Sequence, residues 1–281
     1  MNAVTLTLRD VPPQGLDMRE LLPETLAGQT ETQIAARPLA MGRQPTQLGD
    51  WFDVQVQSSN ADQPSLRLVG DCRRLDYIGH GLSGGRLVVD GDAGHAVGHR
   101  MRGGRLQIHG AVGDHAGMSM RGGTLVIDGD AGDFVGGPAA GERSGMLNGE
   151  IVIAGNAGSH LGFRLRRGTI VVAGRAKRWV AEEMVAGTIA IGGAAGSQLA
   201  VGMRRGTVLL SQPAELPAVG FTEPRRETPS MQPLLVRRLC QLAGSDSPFA
   251  GLSIAPPGSI LRSIGDRAVG GLGEVLWYAR P

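Results

Sequence analysis

Aromatic residues, lysine and cysteine are all scarce in this chain of 281 residues. Phe, Tyr and Trp together make up 4% of it, so no core can be built around large rings. With 41% hydrophobic residues, the core must come from small aliphatic side chains stacked regularly. The two cysteines, Cys72 and Cys240, lie far apart and supply neither a metal knuckle nor a disulfide framework. No apolar run approaches the ~18 residues of a membrane span, and no signal peptide opens the chain. We therefore expect a cytoplasmic protein with no membrane contact. A formal net charge of +2 makes no case for nucleic acid.

What the chain has in excess is glycine, 45 residues of it. The glycines lack the period of three that marks collagen, and they recur in phase. RLVVDGDAGHAVGHRMRGG (86–104) is followed by RLQIHGAVGDHAGMSMRGG (105–123) and TLVIDGDAGDFVG (124–136). EIVIAGNAGSHLGFRLRRG (150–168), TIVVAGRAKRWVAEEMVAG (169–187) and TIAIGGAAGSQLAVGMRRG (188–206) continue the series. The period is 19 residues; a degenerate copy precedes the array at 66–85, and a partial copy starts at Thr207. The third full copy carries seven extra residues, about Pro138 to Ser144.

Each copy opens with an alternating strand: Leu87 and Val89, Leu106 and Ile108, Leu125 and Ile127, Ile151 and Ile153 share one face. Then comes Gly-x-x-Gly-x-x-x-Gly: Gly91, Gly94, Gly98; Gly110, Gly113, Gly117; Gly129, Gly132, Gly136; Gly155, Gly158, Gly162. Glycine freely takes positive φ, so these positions are expected to be structural corners. On that reading Gly132→Val should cost more than Ala139→Val in the insertion. A second apolar site follows (Val97, Ala116, Val135, Leu161, Val180, Leu199), and a third precedes the closing glycines (Met101, Met120, Met146, Leu165, Met184, Met203). Three buried stripes separated by corners describe one coil of a solenoid, which buries its stripes only by stacking. A helix would lose about 1 kcal/mol at each interior glycine. The expected fold is all-β: a single-stranded parallel β-helix, expected right-handed, of about seven 19-residue coils.

An open stack needs caps. Residues 1–65 are expected to form an N-terminal cap, with strands at VTLTL (4–8) and WFDVQV (51–56). Residues 66–210 hold the repeats, and 211–281 form a C-terminal cap with a short helix, Leu235, Leu239 and Leu242 on one face, and a terminal strand in 265–279.

GDAGHAVGHRMRGG (91–104), GDAGDFVG (129–136) and GNAGSHLGFRLRRG (155–168) resemble the C subunit of formylmethanofuran dehydrogenase. They also resemble the related C-terminal β-helix domain of glutamate synthase. The insertion before GMLNG (145–149), LGDWFDV (48–54) and GDRAVGGLGEVL (265–276) extend the likeness to most of the chain. In bacteria, chains of this kind belong to the formyltransferase/hydrolase complex of tetrahydromethanopterin-linked C1 oxidation. That resemblance implies a noncatalytic scaffold beside an amidohydrolase-type subunit, which holds zinc, and a formyltransferase subunit that serves a methanofuran-like carrier. No cofactor is expected in this chain itself. The near absence of lysine, with Lys177 alone, reads as GC-rich codon usage and favours the bacterial complex over the archaeal dehydrogenase. Alternatives are the C subunit of such a dehydrogenase, a free-standing glutamate synthase-type β-helix, or a hexapeptide-repeat acyltransferase, which a 19-residue period disfavours.

No catalytic constellation stands out. Of six histidines, His80 and His99 occupy equivalent positions one coil apart, and His95 with Asp114 would be needed beside them to hold a metal. Tyr77, Ala96, His115, Phe134, His160, Trp179 and Gln198 share one column, suited to ring stacking. Arg102, Arg121, Arg166 and Arg204 share another, a candidate docking surface for partner subunits or an acidic carrier tail. Specific docking needs the places where the repeat breaks. These are the insertion and the coil that carries Lys177, Arg178, Trp179, Glu182 and Glu183, of which Arg178 and Trp179 are the expected contacts.

Overall fold

A computed structural model describes residues 2–58, 62–217, 220–227, 232–243 and 260–278. The N-terminal segment forms strands β1 (Asn2–Leu8), β2 (Leu16–Asp17), β3 (Pro38–Met41), β4 (Gln44–Gln47) and β5 (Phe52–Ser58). Three one-turn helices, α1 (Pro23–Leu26), α2 (Glu31–Ala35) and α3 (Leu48–Trp51), lie between them. The repeats supply β6 (Ser65–Val69), β7 (Leu75–Asp76), β8 (Arg86–Asp90), β9 (Arg105–Ile108), β10 (Thr124–Ile127) and β11 (Glu150–Ile153). They continue with β12 (Thr169–Val172), β13 (Thr188–Ile191) and β14 (Thr207–Leu210). The C-terminal segment adds β15 (Arg225–Glu227), helix α4 (Gln232–Ala243), β16 (Ile260–Gly265) and β17 (Gly273–Tyr278). Strand is the predominant regular structure among the described residues.

The strands β6 and β8 to β14 pair in parallel, each with the next in the series. Their register follows the period: Leu87 faces Leu106, which faces Leu125, then Ile151, Ile170, Ile189 and Val208. These residues are all fully buried, as are the second and third apolar columns from Val97 to Leu199 and from Met101 to Met203. Burial of each large aliphatic side chain is worth roughly 1.5–3 kcal/mol. A further ladder lies past the first corner, where single bridges join Cys72, Ala93, Val112, Ala131, Ala157, Ala176 and Ala195. Small side chains suit this ladder, which runs between closely packed glycines.

The end segments extend the main sheet. β1 pairs in parallel with β6, and β17 with β14. Antiparallel partners then close each end: β5 on β1, and β16 with β15 on β17. Trp51, expected in a strand, closes the one-turn helix α3 instead, and the connection before it holds β2 to β4 and the short helices. Helix α4 covers the outer face of β11 and β12. Val171, Ala190 and Leu209 are buried there with Leu239, where the outward residues of earlier strands are Arg67, Val88 and Gln107. The side chain of Leu235, Ala279 and the whole segment 244–259 between α4 and β16 lie outside the described residues.

The glycine motif has two causes rather than one. Gly91, Gly98, Gly117, Gly136 and Gly162 do take positive φ. Gly94, Gly110, Gly113, Gly129, Gly132, Gly155 and Gly158 do not, which corrects their assignment as left-handed corners. Their backbones instead lie against the preceding repeat. A Cβ on Gly132 would fall inside contact of the Asp114 carboxylate and 2.8 Å from the Asp114 nitrogen. The contact arises because side chains reach from one repeat to the next. Asp114 accepts the N–H of Asp133 at 2.8 Å, Asp133 that of Ser159 at 2.7 Å, and His95 Nδ1 that of Asp114 at 3.0 Å. Asp92, Asp130 and Asn156 form a parallel series three residues earlier. The series from His95 ends at Ser159, and there the next repeat has Lys177 in place of glycine.

Left-handed backbone is also not confined to glycine. Thirteen non-glycine residues among those described have positive φ, Ala181 at 58° among them. Such a conformation costs roughly 1–2 kcal/mol. The N–H groups of Tyr77, His115, Phe134, His160 and Trp179 each donate to a carbonyl of the next repeat, and this bond holds the strained turn.

Ala139, although it lies in the insertion, is 9% exposed and packs against Ala96 and Met118. The useful contrast for Gly132 is therefore Gly141, which has φ +82° and open space around it. Gly132→Ala should destabilise the chain by about 1–3 kcal/mol through overpacking. Gly141→Ala should lower the melting temperature less. The opposite order in thermal unfolding would mean that the Asp114 contact at position 132 is relieved at little cost, and that close approach does not select glycine there.

Candidate functional site

The column of flat side chains forms a stack on the surface of the repeats. His115 lies on Phe134 at 5.3 Å between ring centres, Phe134 on His160 at 4.5 Å, and His160 on Trp179 at 6.0 Å. Neighbouring rings in the stack are within 14° of parallel. Trp179 ends the stack half-buried, and Arg178 beside it is exposed. His160 Nδ1 also meets Glu182 Oε2 at 2.7 Å, which ties the stack to the neighbouring face.

That face carries a groove of about 840 Å³. Val185, Val201, Gly202 and Val269 line it together with the charged residues Arg143, Arg164, Glu182, Glu183 and Arg204. Glu183 is already bound to Arg164 at 2.7 Å. A second trough of about 370 Å³ adjoins it at Val185 and Arg204 and is lined by Arg166, Arg167 and Arg205. Val269, which lines the groove, is 47% exposed; Leu272, 73% exposed, donates its N–H to the Arg204 carbonyl. Arg166 and Arg204 thus fall on this face, whereas Arg102 and Arg121 lie on the same column in earlier repeats. The structure brings Arg178 and Trp179 together beside the stack, not in the groove.

The insertion is anchored in the other direction. Glu142 accepts the Ser119 hydroxyl and binds Arg100 at 2.6 Å, and these bonds, Ser119 first, hold its carboxyl below the usual range. Ser119 in turn accepts the Ala139 N–H at 2.9 Å. This leaves Arg143 to face the groove. The sequence reading singled out Arg166 and Arg204 but passed over Arg167 and Arg205; the signal that could have found them is the doubled arginine that closes these two repeats, where the repeats at 86–104 and 105–123 have a single one. The exposed pair Val269 and Leu272 had no signal, because it reaches Arg204 only through the fold.

The histidines do not converge on a metal. His80 and His99 meet at 3.1 Å between Nδ1 atoms, but His95 points into the side-chain ladder and its Nδ1 is used by the Asp114 N–H. Among the described residues no group of three or more His, Cys, Asp or Glu could hold a metal ion. Burial pushes the Cys72 thiol up to about 12 and so favours its neutral form.

No family model matches the chain. Over 90 residues it is 35% identical to the Fhc C subunit of the formyltransferase/hydrolase complex of Methylorubrum extorquens, covering 32% of each protein. Over 94 residues it is 29% identical to the C subunit of tungsten-containing formylmethanofuran dehydrogenase 2 of Methanococcus maripaludis, covering 34% of each. The chain thus spans about a third of the length of the curated relatives it matches. Structural likeness reaches further. A chain of the crystallised formyltransferase/hydrolase complex FhcABCD of Methylorubrum extorquens, solved with methylofuran, superposes with a TM-score of 0.89. It is 36% identical, over 98% of this chain and 100% of that one. The chain belongs to the family of C subunits of these complexes. Among the described residues of this family member, no helix is long and apolar enough to cross a membrane.

The His80–His99 pair gives a pH dependence. Burial depresses both imidazoles, His99 to about 4, and Arg19 and Arg100 add to the effect on each. Asp17 and Glu20 oppose it at His80, and Glu142 at His99. Below the ordinary histidine value of about 6.5, the unfolded chain binds more protons than the folded one. The contribution is therefore complete above that pH and is lost as pH falls toward about 4. Urea unfolding from pH 7 to 4.5 should show a midpoint that falls more steeply in the wild-type chain than in a His80→Gln/His99→Gln variant. Parallel slopes would show that the pair stays out of this titration.

Proposed function

We propose that this chain is the noncatalytic structural C subunit of a bacterial formyltransferase/hydrolase complex. In such a complex, partner subunits transfer formyl from formyl-tetrahydromethanopterin to a methanofuran-like carrier and hydrolyse it to formate. The observation that carries this reading is the 36% identity across 98% of the chain to a component of that complex. Zinc and the carrier belong to an amidohydrolase-type subunit and a formyltransferase subunit; this chain holds no cofactor. It works as a scaffold: a right-handed parallel β-helix of about seven 19-residue coils spans residues 66–210, capped by 1–65 and 211–281. The repeated backbone ladders and fully buried columns support the coil reading. The complex acts in the cytoplasm.

A second reading is the C subunit of a formylmethanofuran dehydrogenase, supported by the 29% identity to the Methanococcus protein. Native co-purification with mass spectrometry separates the two. An amidohydrolase and a formyltransferase are expected as partners; a molybdenum or tungsten oxidoreductase subunit would decide for the dehydrogenase, and glutamate synthase subunits would overturn both.

Two outcomes follow for the chain itself. Purified alone, it should show no formyl transfer, hydrolysis or redox turnover; activity that survives removal of every partner would refute the scaffold role. Trp179→Ala and Arg178→Ala should weaken assembly while leaving the melting temperature of the isolated chain nearly unchanged for Arg178→Ala. Trp179→Ala removes the His160 stack as well, a loss of about 0.5–1.5 kcal/mol. If both variants assemble with wild-type affinity, the stacked column is packing only.

A further inference from the structure

The groove and its adjoining trough have a composition that specifies their occupant. Glu182 and Glu183 are already engaged by His160 and Arg164. What remains is an excess of guanidinium groups: Arg143, Arg166, Arg167, Arg204 and Arg205 make no ion pair among the described residues. The two doublets sit on repeats that are two rungs apart, about 10 Å at the spacing of stacked strands. Val185 and Ala186 occupy the rung between them. Val201 and Val269 line the groove, and the strongly exposed Leu272 is tied to the same face through its N–H, which donates to the Arg204 carbonyl.

Resting on the reading given under the proposed function, we propose that this face binds an extended acidic segment of a partner subunit. Its carboxylates would pair with the two arginine doublets, and its apolar side chains would cover Val185, Val269 and Leu272. A small anion would satisfy one doublet only and leave the apolar residues exposed. A nucleic acid would find no ring in the trough to stack on, and the net charge of +2 gives it no long-range attraction. A protein segment satisfies both halves of the surface. Guanidinium forks recognise carboxylates bidentately, and arginine and exposed apolar side chains together are the usual anchors of a protein interface.

The chain's single lysine makes a direct test possible. In the assembled complex, Arg167→Lys and Arg204→Lys each place a new amine in the trough. A water-soluble carbodiimide then joins that amine to a carboxylate within contact distance: the amide bond forms, and the water removed is taken up by the reagent as its urea. Mass spectrometry should find the new lysine linked to an Asp or Glu of a partner subunit, beyond any links the wild-type chain makes through Lys177. In parallel, Arg166→Glu/Arg167→Glu and Arg204→Glu/Arg205→Glu should each raise the dissociation constant of the complex at least tenfold and flatten its salt dependence. Leu272→Asp should weaken assembly too. Arg43→Glu, exposed in the β3–β4 turn, should change nothing. Links confined to this chain, or charge-reversed doublets that assemble at wild-type affinity, overturn the proposal. If the wild-type chain co-purifies with no partner at all, the assignment to a complex falls first and this inference with it.

Discussion

Every rung of this molecule must present the same row of backbone donors and acceptors to the rungs on either side. A parallel stack leaves no alternative: a carbonyl that shifts out of line strands both itself and the N–H below it, at a cost of about 1–3 kcal/mol each when buried. Three devices meet that demand. The strands β8 to β14 keep in-register pairs. Single bridges through Ala93 and its equivalents hold the second side. Asp and Asn side chains supply the acceptors at the corners, where the backbone carbonyls point elsewhere. The glycines next to those corners follow from the third device, since the carboxylate of one rung occupies the space a Cβ of the next would need.

Much of this was legible in the sequence. The apolar columns are the clearest case. A side chain that recurs at a fixed phase in six copies has one environment, and Leu87, Val97 and Met101 with their equivalents are all buried as the phase requires. The meaning of the glycines was only half legible. Positive φ and close approach select the same residue, and a sequence cannot separate Gly98, which is left-handed, from Gly94, which is not. The aspartates in GDAGD carried the missing information, but as a local repeat they read as incidental. Their bonds run at least 19 residues forward, to a backbone that becomes adjacent only once the stack exists. The alanine bridge column was hidden for the same reason: Ala93 is too small to register as part of an apolar stripe.

The left-handed residues were not foreseen either. Tyr77, His115, Phe134, His160 and Trp179 occupy a conformation that sequence reasoning reserves for glycine. The gain lies between rungs. At that turn the N–H of each residue reaches the following repeat, and the rings from His115 to Trp179 are brought face to face. Neither benefit exists in an isolated copy, so the preference of one residue for its backbone region says little about what the stack will tolerate. The same holds for Ala181, which keeps the left-handed corner without the residue that makes it easy.

A stack this regular is a poor recognition element, because any partner that fits one rung fits the next. Specificity has to enter where the period is interrupted, and the interruptions are concentrated. The repeat that loses the corner acceptor at Ser159 is followed by the one with Lys177, Arg178, Trp179, Glu182 and Glu183. The insertion folds back so that Glu142 is spent on Arg100 and Ser119, leaving Arg143 over the groove. The C-terminal segment then returns to the last repeat and sets Leu272 beside Arg204. Three departures far apart in the sequence therefore meet on one stretch of the surface. The regular rungs on either side hold their spacing fixed: the periodic part supplies a ruler, and the breaks in it mark one stretch of the surface off from the rest.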